Sequence, residues 1–212
     1  DAICKKYGIT NYTINKDGTV DVDDLVDLFS RGLTKLPLKF GRVTGNFNCN
    51  HNQLTTLEGC PKEVGDSFYC NDNLLTTLEG SPKKVGEHFI CNKNKLTTLK
   101  GCTEEVGGGF SCLLNELISL EGGPKKVGSF FDCSSNKLTS LEGYPKELDG
   151  YFECWRNPIE NIYNLFGSLK EFQDSMDYGY LRGTDIIKLR FKEALEEIGV
   201  KLPKEIKGYN YI

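Results

Sequence analysis

The chain has 212 residues, with 26 Lys and Arg against 30 Asp and Glu and a formal net charge of −4. That balance leaves no basic footprint for nucleic acid or an anionic membrane surface, and makes nucleic acid an unlikely partner. No run of about 18 apolar residues occurs and the first residues do not read as a signal peptide, so nothing implies a membrane span.

Residues 1–25 read as an N-terminal cap. Tyr12-Thr13-Ile14 and Thr19-Val20-Asp21-Val22 alternate apolar and polar around Asn15-Lys16-Asp17-Gly18, the turn chemistry of a β-hairpin. Thr13, Asn15, Asp17, Gly18, Asp21 and Asp24 also fall near the offsets of a calcium loop. The first position lacks a carboxylate, the last is Asp rather than Glu, and the flanks are strand-like, so the spacing alone leaves calcium open. The chain opens at Asp1 without a methionine, which leaves residues upstream of it open as well.

Residues 26–162 repeat one pattern: F-x-C-x-x-N-x-L-x-x-L-x-G-x-P-x-x-V-G. Phe47, Phe68, Phe89, Phe110, Phe131 and Phe152 are 21 residues apart, as are Cys49 to Cys154 and Asn52 to Asn157. A degenerate first coil precedes them, with Val26, Leu28, Arg31, Leu33, Leu36 and Val43 at the same offsets. A fixed period with leucine-like residues and a constant asparagine predicts a solenoid of about seven coils. Each Phe and Cys should point inward on a parallel sheet, and each Asn should bond backbone groups left open by the turn.

The pattern resembles leucine-rich repeats, with F-x-C-x-x-N-x-L standing where that family has L-x-L-x-x-N-x-L. The following T-x-L-E-G-x-P is similar to the short convex segment of repeats in secreted bacterial effectors. The resemblance implies an α/β solenoid: a right-handed superhelix with a parallel concave β-sheet, an N-terminal β-hairpin cap and a C-terminal helical cap. The link V-G-x-x-F is one residue longer than the family's, and its glycine is expected to loosen the corner before each strand.

Residues 163–212 read as the helical cap. Ser168 is a plausible N-cap for a helix from Leu169 to about Asp177, and Thr184 for one carrying Ile187, Phe191, Leu195 and Ile198 on one stripe, stopped by Gly199. The tail from Lys201 is expected to pack on this cap or fray. N-P-I-x-x-I-Y-N-L-F followed by R-F-K-E-A-L resembles the end of leucine-rich repeat proteins of tailed bacteriophages.

The 9 cysteines do not suggest a disulfide framework. Six form one inward column of small apolar groups, and no C-x-x-C or paired-histidine pattern accompanies them, so neither a metal nor a cofactor is implied and a reducing cytoplasm fits best (the host's, if the chain is phage-encoded). Catalysis finds no support. His51 and His88 lie in different coils, Asp72, Glu116, Asp132 and Glu153 form no fixed pair, and Gly107-Gly108-Gly109 reads as a corner rather than a phosphate loop.

Comparing the coils with one another locates the candidate site. The convex segments are nearly copied: Thr-Thr-Leu-Glu-Gly at 55–59 and 76–80, Thr-Ser-Leu-Glu-Gly at 139–143. Recent duplication is the reading this suggests. The outward positions of the strands differ in almost every coil. Asn48, Tyr69 and Ile90 lie between Phe and Cys; His51, Asp72, Lys93, Leu114 and Arg156 precede the Asn; Leu74, Lys95, Glu116 and Lys137 follow it. Leu113 and Trp155 follow the Cys, and Phe130 and Tyr151 precede the strands. Variation confined to one face, with apolar side chains where a sheet meets water, is the pattern of a protein-recognition surface. The expectation is a non-enzymatic module that binds another protein, a host factor if the phage resemblance holds. A self-associating structural component of a larger particle is the alternative.

Overall fold

The computed structural model describes residues 1–166, 171, 172, 174, 181, 182, 185, 186, 188–207 and 209–212. The repeats form a β-solenoid whose successive turns are stacked as two parallel sheets. One, here the Phe-side sheet, has seven strands running from Val26–Asp27 through Phe47–Asn48 to Phe152–Glu153. The other, the Val-side sheet, has eight, from the hairpin strands Tyr12–Ile14 and Val20–Val22 through Phe40–Val43 to Glu147–Leu148. Most strands are two residues long.

The second sheet is a departure from the single parallel sheet expected. Its cause is the dipeptide ending in each valine, which pairs in register with the next turn: Arg42 with Glu63, Glu63 with Lys84, Glu105 with Lys126, Lys126 with Glu147. The valine points in and the residue before it points out. That outer row, Arg42, Glu63, Lys84, Glu105, Lys126 and Glu147, alternates in sign, which suits adjacent parallel strands. Lys126 Nζ lies 3.0 Å from Glu147, and Arg42 Nε 3.8 Å from Glu63.

The glycine after each valine tightens the corner rather than loosening it. A Cβ on Gly65, Gly86, Gly107 or Gly128 would strike the carbonyl oxygen of Thr44, Gly65, Gly86 or Gly107 in the preceding turn. Without it the N–H of each glycine reaches the carbonyl of the preceding valine, at 2.9 Å for Gly65 to Val43 and 3.0 Å for Gly128 to Val106.

Between the sheets lies one continuous core. The rings of Phe47, Phe68, Phe89, Phe110 and Phe131 are fully buried, with centroids of neighbours 5.0–5.8 Å apart. Each contributes about 2–3 kcal/mol of burial. The asparagines stitch the turns together. Asn115 Oδ1 accepts the N–H of Leu96 at 3.0 Å, while its Nδ2 donates to Cys91 O at 3.1 Å in the preceding turn and to Cys112 O at 3.0 Å in its own. Asn73, Asn94, Asn136 and Asn157 repeat this set. At the first coil, where Arg31 replaces the asparagine, Asn52 Oδ1 accepts from both Arg31 and Leu33.

The copied convex segments have structural reasons that duplication alone would not supply. Thr56, Thr77, Thr98 and Ser140 each accept the N–H two residues on, closing the turn. Gly59, Gly80, Gly101, Gly122 and Gly143 have φ between 82° and 94° and lie against the backbone of the preceding turn, where only glycine fits.

The N-terminal end is closed by the antiparallel hairpin, Tyr12 opposite Val22 and Ile14 opposite Val20. Asp17 Oδ1 accepts from the backbone and hydroxyl of Thr19, and these bonds hold its carboxyl below the usual range. The first strand of the Phe-side sheet has N–H groups facing outward at Leu25 and Phe29. Asp24 Oδ1 takes the first at 2.8 Å and Asp27 Oδ1 the second at 3.0 Å, so the sheet edge carries its own acceptors.

The C-terminal end, expected as a helical cap, carries a small sheet as well as helices. The described residues form a short helix, Glu160–Tyr163, a ten-residue helix, Lys188–Glu197, and a three-stranded sheet of Leu181–Arg182, Asp185–Ile186 and Asn210–Tyr211. Phe191 and Leu195 are buried and Ile198 half-buried, whereas Ile187, both proposed N-caps Ser168 and Thr184, and most of 169–177 lie outside the described residues. Tyr163 and Phe172 extend the aromatic column past Phe152. Tyr209 Oη donates to Thr139 O and Asn161 Nδ2 to Lys207 O, each at 2.9 Å, tying the tail to the last coils.

Asn115→Ala strands donors and acceptors in two turns at once and is expected to lower stability by about 1–3 kcal/mol in urea unfolding. Thr97→Ala, at an exposed position in the neighbouring turn, should stay within about 0.5 kcal/mol.

Candidate functional site

Four rows run along the solenoid on the outer side of the Phe-side sheet. The first, between Phe and Cys, is Asp27, Asn48, Tyr69, Ile90, Ser111, Asp132 and Glu153, neighbours in register throughout. The second, after the Cys, is Phe29, Asn50, Asn71, Asn92, Leu113, Ser134 and Trp155. The third precedes the Asn and the fourth precedes the Phe. The cysteine between the first two rows points inward, so both project on the same face.

The third row is not on the strand, as the sequence reading had it. Ser30, His51, Asp72, Lys93, Leu114, Ser135 and Arg156 all have φ between 50° and 57°, the left-handed conformation of a sharp corner. His and Asp tolerate it; Lys93, Leu114 and Arg156 are strained there. The charges on this rim largely answer one another. Asp72 lies 3.5 Å from His51 Nε2 and 3.7 Å from Lys93 Nζ and accepts from Asn71 Nδ2, and Lys137 Nζ is 2.8 Å from Glu116. That hydrogen bond, with a smaller contribution from Lys95, lowers the Glu116 carboxyl below its ordinary value. Leu74 is exposed beside Lys95 in the row after the asparagines, whose N–H groups bond back to the preceding turn.

The first two rows are coupled. Each second-row N–H points back along the stack and needs an acceptor. Asn50 Oδ1 supplies one to Asn71 and Asn92 Oδ1 one to Leu113. Where the preceding second-row residue is apolar, the first row supplies it instead: Asn48 to Asn50 behind Phe29, and Asp132 to Ser134 behind Leu113. Asn48 and Asp132 therefore have structural duties, while Tyr69 and Ile90 stand half-buried on the face without one.

The fourth row changes character along its length. Asn46, Ser67 and His88 each accept the N–H of the next turn, His88 through Nδ1 from Gly109 at 2.8 Å. Gly109 then leaves a gap that the Phe130 ring fills, 5.6 Å from the His88 ring, with Tyr151 stacked on Phe130 at 5.6 Å and 17°. His88 is thus a hydrogen-bond acceptor for the backbone. The predicted apolar residues separate into two groups: Tyr69 and Ile90 near the middle, and Leu113, Leu114, Phe130, Tyr151 and Trp155 over the last three coils. Phe29, exposed at the head of the Trp155 row, was not among the candidate residues, although stepping back by 21 from Asn50 reaches it; Asp132 and Glu153 lie on the same face as neighbours in register.

Cys49, Cys70, Cys91, Cys112 and Cys133 of the inward column are buried and form no disulfide. Burial pushes the Cys49 thiol from an ordinary 9.0 up to about 12, and Cys70, Cys91, Cys112 and Cys133 move the same way. Among the described residues no group of three His, Cys, Asp or Glu could hold a metal, and no helix is long and apolar enough to cross a membrane. Hollows of about 360 and 420 Å³ open on the Thr-x-Leu-x-Gly side, one beside Pro124 and Tyr144 and the other beside Pro37 and Thr56, away from all four rows.

No family model, no curated protein and no solved structure matches the chain. The 21-residue period and inward columns are compatible with a short leucine-rich repeat design.

Because the folded thiols ionise at higher pH than unfolded ones, their contribution is intact below about pH 9 and is lost as pH rises toward 12. The melting temperature is expected to fall through that window, and Cys91→Ala, which removes one such group, should flatten the fall.

Proposed function

We propose that the protein is a non-enzymatic recognition module that binds another protein through the outer face of the Phe-side sheet. The observation that carries this is Leu114. It is 43% exposed at a left-handed corner where Asn or Gly would be better both in water and in backbone energy. An apolar side chain at such a place is a cost to the isolated fold that a partner's apolar surface would offset. Trp155, 50% exposed, and Tyr151, 60% exposed, extend the same apolar surface across neighbouring turns. The earlier contrast between variable and copied faces supports the reading less, because the copied side is held constant by turn geometry.

We place the chain among short leucine-rich repeat proteins on its period; a bacteriophage source would make the partner a host protein. Self-assembly by end-to-end stacking finds less support, since Asp24 and Asp27 occupy the outward N–H groups of Leu25 and Phe29.

Leu114→Asn is expected to leave stability unchanged or raise it by up to about 1 kcal/mol, while weakening partner capture. Trp155→Ala combined with Leu114→Glu should abolish capture with the melting temperature within about 3 °C of the parent. Capture undiminished in the double variant would reject the face; a defined oligomer in light scattering would favour the self-associating alternative.

A further inference from the structure

On the last three coils the four rows converge on an arrangement that a folded sheet does not need. Asp132 and Glu153 are direct neighbours in register on parallel strands, a placement in which like charges repel. Among the described residues neither has a Lys, Arg or His within 4.0 Å, although the rim charges around them are paired. Asp132 accepts the Ser134 N–H at 2.9 Å through Oδ1 and the Ser111 hydroxyl at 3.4 Å through Oδ2. Asn48 accepts the Asn50 N–H with a neutral amide, so the charge of Asp132 exceeds what the turn requires.

A second observation lies beside the carboxylates. Ser134 is only 6% exposed, and its Oγ has no hydrogen-bond partner. Cys133 turns inward, its Sγ on Glu153 O, so Ser134 projects on the outer face with Asp132, between Leu113 and Trp155 in its row. A buried hydroxyl without a partner costs free energy unless something supplies one. Across the same face, Tyr151 and Trp155 stand two residues to either side of Glu153, about 7 Å away along the strand. Both are exposed aromatic rings, the groups that attract a cation over their faces.

We infer that Ser111, Asp132, Ser134, Tyr151, Glu153 and Trp155 form a subsite for a cationic side chain, an arginine or lysine on a basic segment of the partner protein. The carboxylates neutralise the cation and the two rings flank its stem and head, with the buried, unpartnered Ser134 hydroxyl beneath. Ser111, whose Oγ lies 3.4 Å from Asp132 Oδ2, completes the polar floor. The subsite rests on the face-recognition reading above and specifies the chemistry that the face selects.

The protein has 1 tryptophan, so Trp155 emission reports directly on the subsite. The probe is the peptide acetyl-Gly-Arg-Lys-Arg-Gly-amide, compared with its analogue in which citrulline and norleucine replace the basic residues. A saturable change with the basic peptide and none with the neutral one is expected. Asp132→Asn with Glu153→Gln should bind the basic peptide at least about tenfold more weakly. Its urea midpoint should be unchanged or raised, because the carboxamide keeps the Ser134 bond and the repulsion is gone. Equal responses to the two peptides, or unchanged affinity in the double carboxamide variant, would overturn the subsite. If that variant still captures the partner protein while Trp155→Ala/Leu114→Glu does not, the subsite falls and face recognition stands. Full capture by both variants removes both.

Discussion

Each turn of this solenoid exists because the one before it is in reach of an asparagine amide. Asn73, Asn94, Asn115, Asn136 and Asn157 each bridge a backbone N–H and a carbonyl of the preceding turn to a carbonyl of their own. Strands of two residues offer too few ladder bonds to define a register alone. The amide supplies the missing constraint, and the close stacking it imposes explains both glycine columns, the buried phenylalanine rings and the small cysteine beside each ring. The same close stacking sets the outer rows one turn apart, so that neighbouring side chains on the face either bond, pair charges or stack.

Much of the fold was legible because its constraint is periodic. Six phenylalanines, six cysteines and six asparagines at one interval announce an interior in a way no single turn could. What escaped was written in a quieter period. The sign alternation from Arg42 to Glu147 spans two turns per cycle, and it marks a second parallel sheet. The glycine after each valine looked like slack because sequence alone does not show the carbonyl oxygen of the preceding turn against it. At the C-terminal end the periodic signal stops, and the strands Leu181–Arg182 and Asn210–Tyr211 pair over a separation that local patterning does not encode.

The candidate face was legible by position and less so by role. Tyr69, Leu114, Tyr151 and Trp155 do emerge on one side, but the corner residues His51, Asp72, Lys93 and Arg156 belong to a left-handed turn, not a strand. Asn48, read as a contact for a partner, also accepts a backbone N–H, and His88 does the same for Gly109. Such duties depend on which neighbour in the previous turn lacks an acceptor, a relation between residues 21 apart that becomes visible only when the turns are stacked.

The aspartates at the head of the Phe-side sheet have a consequence for how such a molecule changes size. With Asp24 and Asp27 holding the outward N–H groups of Leu25 and Phe29, growth at that margin would have to displace two satisfied bonds. Insertion or loss of a whole 21-residue unit in the interior keeps the repeated bonds, because every internal turn presents the same asparagine amide and backbone groups to its neighbours. The reach of the face can therefore lengthen or shorten by one strand spacing, about 4.8 Å, at each event while both termini stay as they are.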